Sequence, residues 1–246
     1  EPRGASGGRP DDDPARATAR GTLAHALLAE ADLSAPPLER LAQIEATVLR
    51  RGYDPRSPTV RKIVGEVVRF LESPAGRALA AVPPRGALLR EVPFLLRVDG
   101  ASGEGCYLVG AIDALRLDPS TRTATVVDYK YAVPRAGAAD RYRIQLLAYA
   151  LAAGRAHPGF TVRARLQFLR GDGRAVDVTP SAAELERFAA EAPSLATEAV
   201  RGGGERAPSE LGRSRERCAE EGCGWVARCH PGNAPGLRLP VAGGIP

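Results

Sequence analysis

Two carboxylates and one ammonium stand inside stretches that otherwise read as buried β-strand. Asp113 lies in Tyr107-Leu-Val-Gly-Ala-Ile-Asp-Ala-Leu, and Asp128 and Lys130 lie in Val126-Val-Asp-Tyr129-Lys130. Burying a charge is costly unless it is paired, so a fold that puts these strands in its core must bring a cation or a substrate to them. The lysine narrows the choice. Of 34 cationic side chains, only Lys62 and Lys130 are lysine. Arginine serves everywhere else, whereas position 130 carries a compact ammonium whose charge state the surroundings can tune.

The turn Asp118-Pro-Ser-Thr121 separates the two strands. A hairpin centred on Ser120 and Thr121 sets Asp113 across from Asp128 and Ala111 across from Lys130. Cross-strand partners have Cβ atoms roughly 4.5–5.5 Å apart, where like charges repel. A hard divalent ion, Mg²⁺ or Mn²⁺, between the carboxylates removes that repulsion. Lys130 shares the face of Asp128, because side chains on a strand alternate with period two. Such a set suits attack of water on a phosphodiester, with the metal activating the water and the lysine orienting it or neutralising charge on phosphorus. An isolated Asp-x-Lys is commonly a surface ion pair. Asp113, deep in an apolar strand, sets this one apart.

Residues 1–17 are rich in Gly, Pro and charge, which predicts a disordered segment or linker. The lack of any methionine leads us to expect a piece of a longer chain. A helix is expected over 19–31, and further helices up to about residue 82. Their start signals are Pro36-Pro37, Ser57-Pro58 and Ser73-Pro74. Strands follow over 88–98, 106–117 and 124–132, then a long helix over 138–153, strands over 161–170 and 175–178, and a last helix from 181 to about 200. This order predicts an α/β sheet with helices on its faces. The net charge of +5 and the pI near 9.3 raise a polyanionic partner only slightly. No apolar run is long enough to span a membrane and no signal peptide opens the chain, so a cytoplasmic protein is expected.

His25 follows Gly21 by one helical turn, which leaves space beside the imidazole. It is either a satisfied side chain at a packing edge or a neutral ligand completing the shell that two carboxylates leave open. On the long helix, Tyr142, Gln145 and Tyr149 form one stripe, expected at the cleft edge where they can hydrogen-bond phosphate or stack on a base. Ile144, Leu147 and Leu151 form another, expected to pack on the sheet.

With these residues placed, the chain resembles the RecB-like branch of the PD-(D/E)XK nuclease superfamily, most closely the nuclease domain of AddA-type helicase-nucleases. Gly21-Thr-Leu-Ala-His25 looks like the helical histidine motif, Arg90-Glu91-Val-Pro-Phe94 like the first-strand signature, and Gly110-Ala-Ile-Asp113 with Val127-Asp128-Tyr-Lys130 like the two halves of the nuclease signature. Gln145-Leu-Leu-Ala-Tyr149 looks like the Gln-x-x-x-Tyr motif that follows. The resemblance implies a restriction-endonuclease-like core (αβββαβ, a mixed sheet flanked by helices) with an N-terminal helical layer and a Cys-containing C-terminal tail. It implies a nuclease domain over 18–230, divided into a helical part at 18–85, a sheet core at 86–200 and the tail at 201–230, with a flexible end at 231–246.

By the same resemblance His25, Asp113, Asp128 and the carbonyl of Tyr129 would ligate Mg²⁺ or Mn²⁺, and Asp113, Asp128 and Lys130 would be catalytic. Gln145, Tyr149, Tyr142 and Arg141 would contact DNA. Glu91 would stand behind the ligands, or is simply a strand-start charge. The implied partners are DNA, as single strands or unwound duplex ends, and a helicase motor in the same chain or a partner subunit, at the bacterial nucleoid. Cys218, Cys223 and Cys229 resemble the branch's C-terminal cysteine group. They are a remnant held by packing, ligands of an iron-sulfur cluster whose fourth ligand lies elsewhere, or a Zn²⁺ site completed by His230. The rival expectation is a DNA-binding scaffold of the same fold without activity, but a degenerate member should have lost His25, Asp113, Asp128 or Lys130, and all four are present.

Overall fold

Proline and serine punctuation sets the first helices. The computed structural model describes residues 14–100, 103 and 105–205, with side chains from 18 to 198. Helices α1 (Pro14–Glu30), α2 (Pro37–Arg50), α3 (Pro58–Glu72) and α4 (Pro74–Ala80) come first. Pro37, Pro58 and Pro74 each sit in the first turn, where a missing N–H costs nothing. Ser73 joins α3 to α4: its hydroxyl donates to the Phe70 carbonyl at 2.6 Å and accepts from Gly76 N–H at 3.1 Å. α3 buries Val60, Ile63, Val67, Phe70 and Leu71 at helical spacing, each worth about 1.5–3 kcal/mol when fully buried.

Strands β1 (Ala87–Asp99), β2 (Gly105–Asp118) and β3 (Thr123–Lys130) follow, then α5 (Ala138–Arg141), α6 (Arg143–Ala156), β4 (Thr161–Phe168), β5 (Ala175–Asp177) and α7 (Ala182–Glu205). α7 runs on past residue 200, where its end was expected. The strands form one sheet in chain order, in which only β3 and β4 run parallel, joined by the crossover through α6. Residues 20–200 make up one compact unit. One face of its sheet packs through Ala114, Val127 and Tyr129 on α1–α4. The other packs on α6 through Leu115, Val126 and Leu166, and on α7 through Val98 and Leu96. This is the expected α/β class, a mixed sheet flanked by helices. Cys106 packs in the α6–α7 cluster and is a free thiol. Cys218, Cys223, Cys229 and His230, residues 1–13 and the stretch 206–246 lie outside the described residues.

Two departures from expectation bear on the site. The long helix breaks at Tyr142, whose φ of −104° and ψ of 7° leave the helical region. And the α6 stripes are not divided as expected: Tyr149, with Leu146 and Ala153, packs on the sheet, Leu147 and Leu151 pack in a cluster shared by α7 and the strand residues Leu96, Val98 and Leu108, and Ile144 is 64% exposed. α6 is covered on two sides, so its apolar residues surround most of its circumference and periodicity does not single out the sheet side.

Gly110 is where the sheet needs a bare backbone. A Cβ there would lie 2.9 Å from the Phe94 ring and 3.4 Å from Tyr149, whose rings meet edge-to-face at 5.7 Å. Gly110→Val should therefore destabilise the protein by about 1–3 kcal/mol through overpacking. Urea unfolding checks this, and an unchanged midpoint would count against close packing at this point.

Candidate catalytic metal centre

The hairpin register is the predicted one, with Ala114 opposite Val127 and Leu115 opposite Val126, but the β2–β3 ladder stops there. Asp113 and Asp128, next in register, do not pair. On the other side of β2, the ladder joins Arg90 to Ala114 and Val92 to Ile112 but skips Glu91 and Asp113. Glu91 takes a φ of 49°, left-handed backbone that a non-glycine residue rarely adopts. Both strands change face here. Before the break, Val92 and Ile112 pack toward α6, and beyond it Leu115 does while Ala114 joins the helical layer. Asp113 is thus freed from both neighbouring ladders, and its carboxylate is available to side-chain chemistry.

That carboxylate first takes over a backbone role. Its Oδ2 accepts the Tyr129 N–H at 2.7 Å. The Tyr129 carbonyl accepts His25 Nε2–H at 2.9 Å. This hydrogen bond assigns the proton to Nε2 and leaves a lone pair on Nδ1, which faces Asp113 Oδ1 at 3.6 Å. Burial holds the His25 imidazole below its usual pKa, so it is neutral near pH 7. Two facing lone pairs are relieved by a metal ion between them, or by a proton when the Asp113 carboxyl, whose pKa burial raises to about 6, is not ionised. Glu91 supplies a third donor: ligand atoms of His25, Glu91 and Asp113 all lie within 4.8 Å of one another. His25 reaches this point because Arg90 donates to the carbonyls of Leu28 and Ala31, tying the end of α1 to β1.

Asp128 belongs to a second, adjoining set. Its residue is fully buried. Oδ2 lies 2.7 Å from Lys130 Nζ, yet off the hydrogen-bonding direction, so its charge is met while its lone pair has no donor. Oδ1 accepts from Gln145 Nε2 at 3.2 Å. The Gln145 amide also donates to the Tyr149 hydroxyl at 2.8 Å and accepts from Lys130 at 3.1 Å. The ammonium rests 4.3 Å from the centre of the Tyr142 ring, a contact the helix break makes possible. Of the four residues expected to touch DNA, Tyr149 is buried and Gln145 is occupied with Lys130 and Asp128, while Arg141 is exposed beside the half-buried Tyr142.

The donor set fits a divalent ion: two carboxylates, a neutral imidazole nitrogen, and an unpartnered buried oxygen on Asp128 close by. The protein family accords with that chemistry. The model of the PD-(D/E)XK nuclease superfamily matches residues 3–230. The chain belongs to the PD-(D/E)XK nuclease superfamily. Nucleases of this superfamily generally use divalent metals and act on DNA. Among solved structures, the crystal structure of SSO0001 is similar over 79% of each chain, with 14% identity and a TM-score of 0.37. No curated protein matches in sequence. No helix among the described residues is long and apolar enough to cross a membrane.

In this PD-(D/E)XK chain, sequence singled out Asp113, Asp128, Lys130 and His25 for one centre. The fold gathers His25 and Asp113 with Glu91, and holds Asp128 with Lys130 and Gln145. Glu91 was marked only by the first-strand signature Arg90-Glu91-Val-Pro-Phe94, as a group behind the ligands or a strand-start charge, whereas the fold sets it among the donors.

Burial pushes the carboxyls of Asp113 and Asp128 up to about 6 from the ordinary 3.8. A carboxyl whose folded pKa exceeds its unfolded value binds its proton more tightly when folded. Its stabilising contribution is therefore complete below pH 3.8 and fades as pH rises through about 6. The metal-free protein should gain thermal stability over the Asp113→Asn/Asp128→Asn variant as pH falls from about 7.5 to about 5, and parallel melting curves would contradict this. Glu91→Gln should weaken Mn²⁺ binding by about tenfold or more in calorimetry, whereas unchanged affinity would remove Glu91 from the centre.

Proposed function

We propose that the chain is a Mg²⁺- or Mn²⁺-dependent deoxyribonuclease module of the RecB-like branch, related to AddA-type helicase-nucleases. It would act as an exonuclease on DNA strands delivered by a motor, in double-strand-break repair or recombination in the bacterial cytoplasm. The observation that carries this reading is the placing of the His25–Glu91–Asp113 donors next to the Asp128–Lys130–Gln145 set.

A divalent ion would be held by His25, Glu91 and Asp113, with Asp128 close by, and would supply Lewis acidity toward water and a phosphoryl oxygen; the Tyr129 carbonyl, expected as a ligand, instead accepts from the far edge of the His25 ring. The protein's own groups do the rest. Lys130 is clasped by Asp128, Gln145 and the Tyr142 ring. Its ammonium is therefore pre-oriented, and its free N–H bonds can steady the attacking water or the charge building on phosphorus. Gln145 positions both Lys130 and Asp128 through its amide, and Tyr149 fixes the orientation of that amide. Arg141, exposed at the break before α6, would hold a flanking phosphate. The mixture of imidazole and carboxylate donors favours Mn²⁺ over Mg²⁺ in affinity.

Asp113→Ala should abolish metal-dependent cleavage of linear DNA while binding, read by fluorescence anisotropy in chelator, persists. Cleavage by that variant would refute the site. Lys130→Ala should lower the single-turnover rate by about 10²–10³-fold with Mn²⁺ affinity retained, and a loss of metal binding instead would reassign Lys130 to holding Asp128.

A further inference from the structure

On the sheet face opposite Gln145, α4 roofs a cavity of about 210 Å³ lined by Phe70, Ala75 and Leu79 above and by Arg116, Thr125 and Arg165 from the sheet. Three neighbouring strands build its floor. Arg116 of β2 is cross-strand from Thr125 of β3, and Arg165 of β4 is beside Val127 of β3. Both guanidinium groups project onto the helical-layer face, as Ala114 and Val127 do.

Neither arginine is fully served by the protein. The buried Nε–H of Arg116 and that of Arg165 have no acceptor. Arg116 donates through one terminal nitrogen to the Ala81 carbonyl at 3.0 Å, and its counter-charge, Asp118, is 4.0 Å away. Asp118 is itself committed to the β2–β3 turn, where its Oδ1 accepts from Ser120 N–H at 3.0 Å and from the Ser120 hydroxyl at 2.6 Å. Arg165 has Asp177 at 3.7 Å, and that carboxylate side chain is 77% exposed. Gln167, 2% exposed on the cavity wall, is locked by donating to the Phe168 and Gly173 carbonyls at 2.9 and 2.6 Å. A buried donor without a partner costs about 1–3 kcal/mol, and two lining one cavity, each with only a distant anion, describe a site for an oxyanion. The rigid fork of arginine suits a tetrahedral phosphate better than a halide.

We propose that this cavity binds a phosphate group, held by Arg116 and Arg165, at a place separate from the metal centre. The site does not rest on the nuclease reading. Its phosphate can belong to a nucleic-acid chain or to a free small molecule, and the test separates the two.

The first measurement is the melting temperature of the metal-free protein in chelator, in sodium phosphate against sodium chloride of equal ionic strength. Phosphate at about tenfold excess over its dissociation constant should raise the melting temperature by roughly 3–5 °C. Asp113→Ala should keep that rise, which makes it independent of the metal centre, and Arg165→Gln should lose it. Because Arg116 also holds the Ala81 carbonyl, Arg116→Lys is its test: charge stays, the Nε–H is lost, and phosphate affinity should fall several-fold. Equilibrium dialysis of radiolabelled phosphate against wild-type protein adds a readout that needs no variant, with one phosphate expected per chain. Equal melting in phosphate and chloride, no bound phosphate, or an Arg165→Gln variant that responds like wild type would overturn the proposal. Anisotropy with a labelled oligonucleotide in chelator then assigns the source. Binding weakened in Arg165→Gln identifies a nucleic-acid phosphate, while unchanged oligonucleotide binding in that variant, once it has lost the wild-type phosphate response, identifies a free or small phosphorylated ligand.

Discussion

The peptide of Tyr129 is gripped from both ends, and much of the architecture follows from that grip. Its N–H is taken by the Asp113 carboxylate and its carbonyl by the His25 ring. In a continued hairpin, β2 backbone would lie opposite this peptide. The substitution of a side chain for backbone lets β2 and β3 part while leaving neither the N–H nor the carbonyl of Tyr129 unsatisfied. It also ties α1, β2 and β3 into one junction across 104 residues of chain. Loss of the Asp113 carboxylate would therefore strand a buried N–H as well as remove a ligand.

The parting of the strands creates the chemistry. Two carboxyls are buried far enough to resist ionisation, one beside an imidazole lone pair and one beneath an ammonium. Glu91, in its left-handed conformation, completes the first group at a backbone cost of about 1–3 kcal/mol. Strain of this kind persists only where the surroundings over-determine it. Here the β1–β2 ladder resumes on both sides of Glu91 and leaves the residue little freedom. The same sheet carries unpartnered Nε–H groups on its helical-layer face at Arg116 and Arg165, so buried polar demand is not confined to the metal centre.

Much of this was legible beforehand. The Pro37, Pro58 and Pro74 starts, the strand order and the Ser120–Thr121 hairpin are short-range signals, and the observed elements follow them closely. Asp128 and Lys130 were expected on one face, and their ion pair is there. What was not legible depends on contacts between distant elements. The α6 stripes misled because Tyr149 packs on the sheet and Ile144 is exposed, while Leu147 and Leu151 meet α7 as well as the sheet, and nothing near them in sequence announces α7. Gln145 looked like a group offered to a ligand, whereas folding engages it with Lys130, Asp128 and Tyr149.

By itself, the sequence determined the class of fold, the hairpin register and the identity of the charged residues, because turn chemistry and strand alternation act over a few residues and need no knowledge of the whole. Only the tertiary structure decided where the ladders stop, that Glu91 joins His25 and Asp113, and which lone pairs are left facing one another. Those outcomes depend on how α1 docks against β1 through Arg90 and on which backbone groups find partners across the sheet. They are set by packing between segments far apart in the chain, which local patterns do not encode.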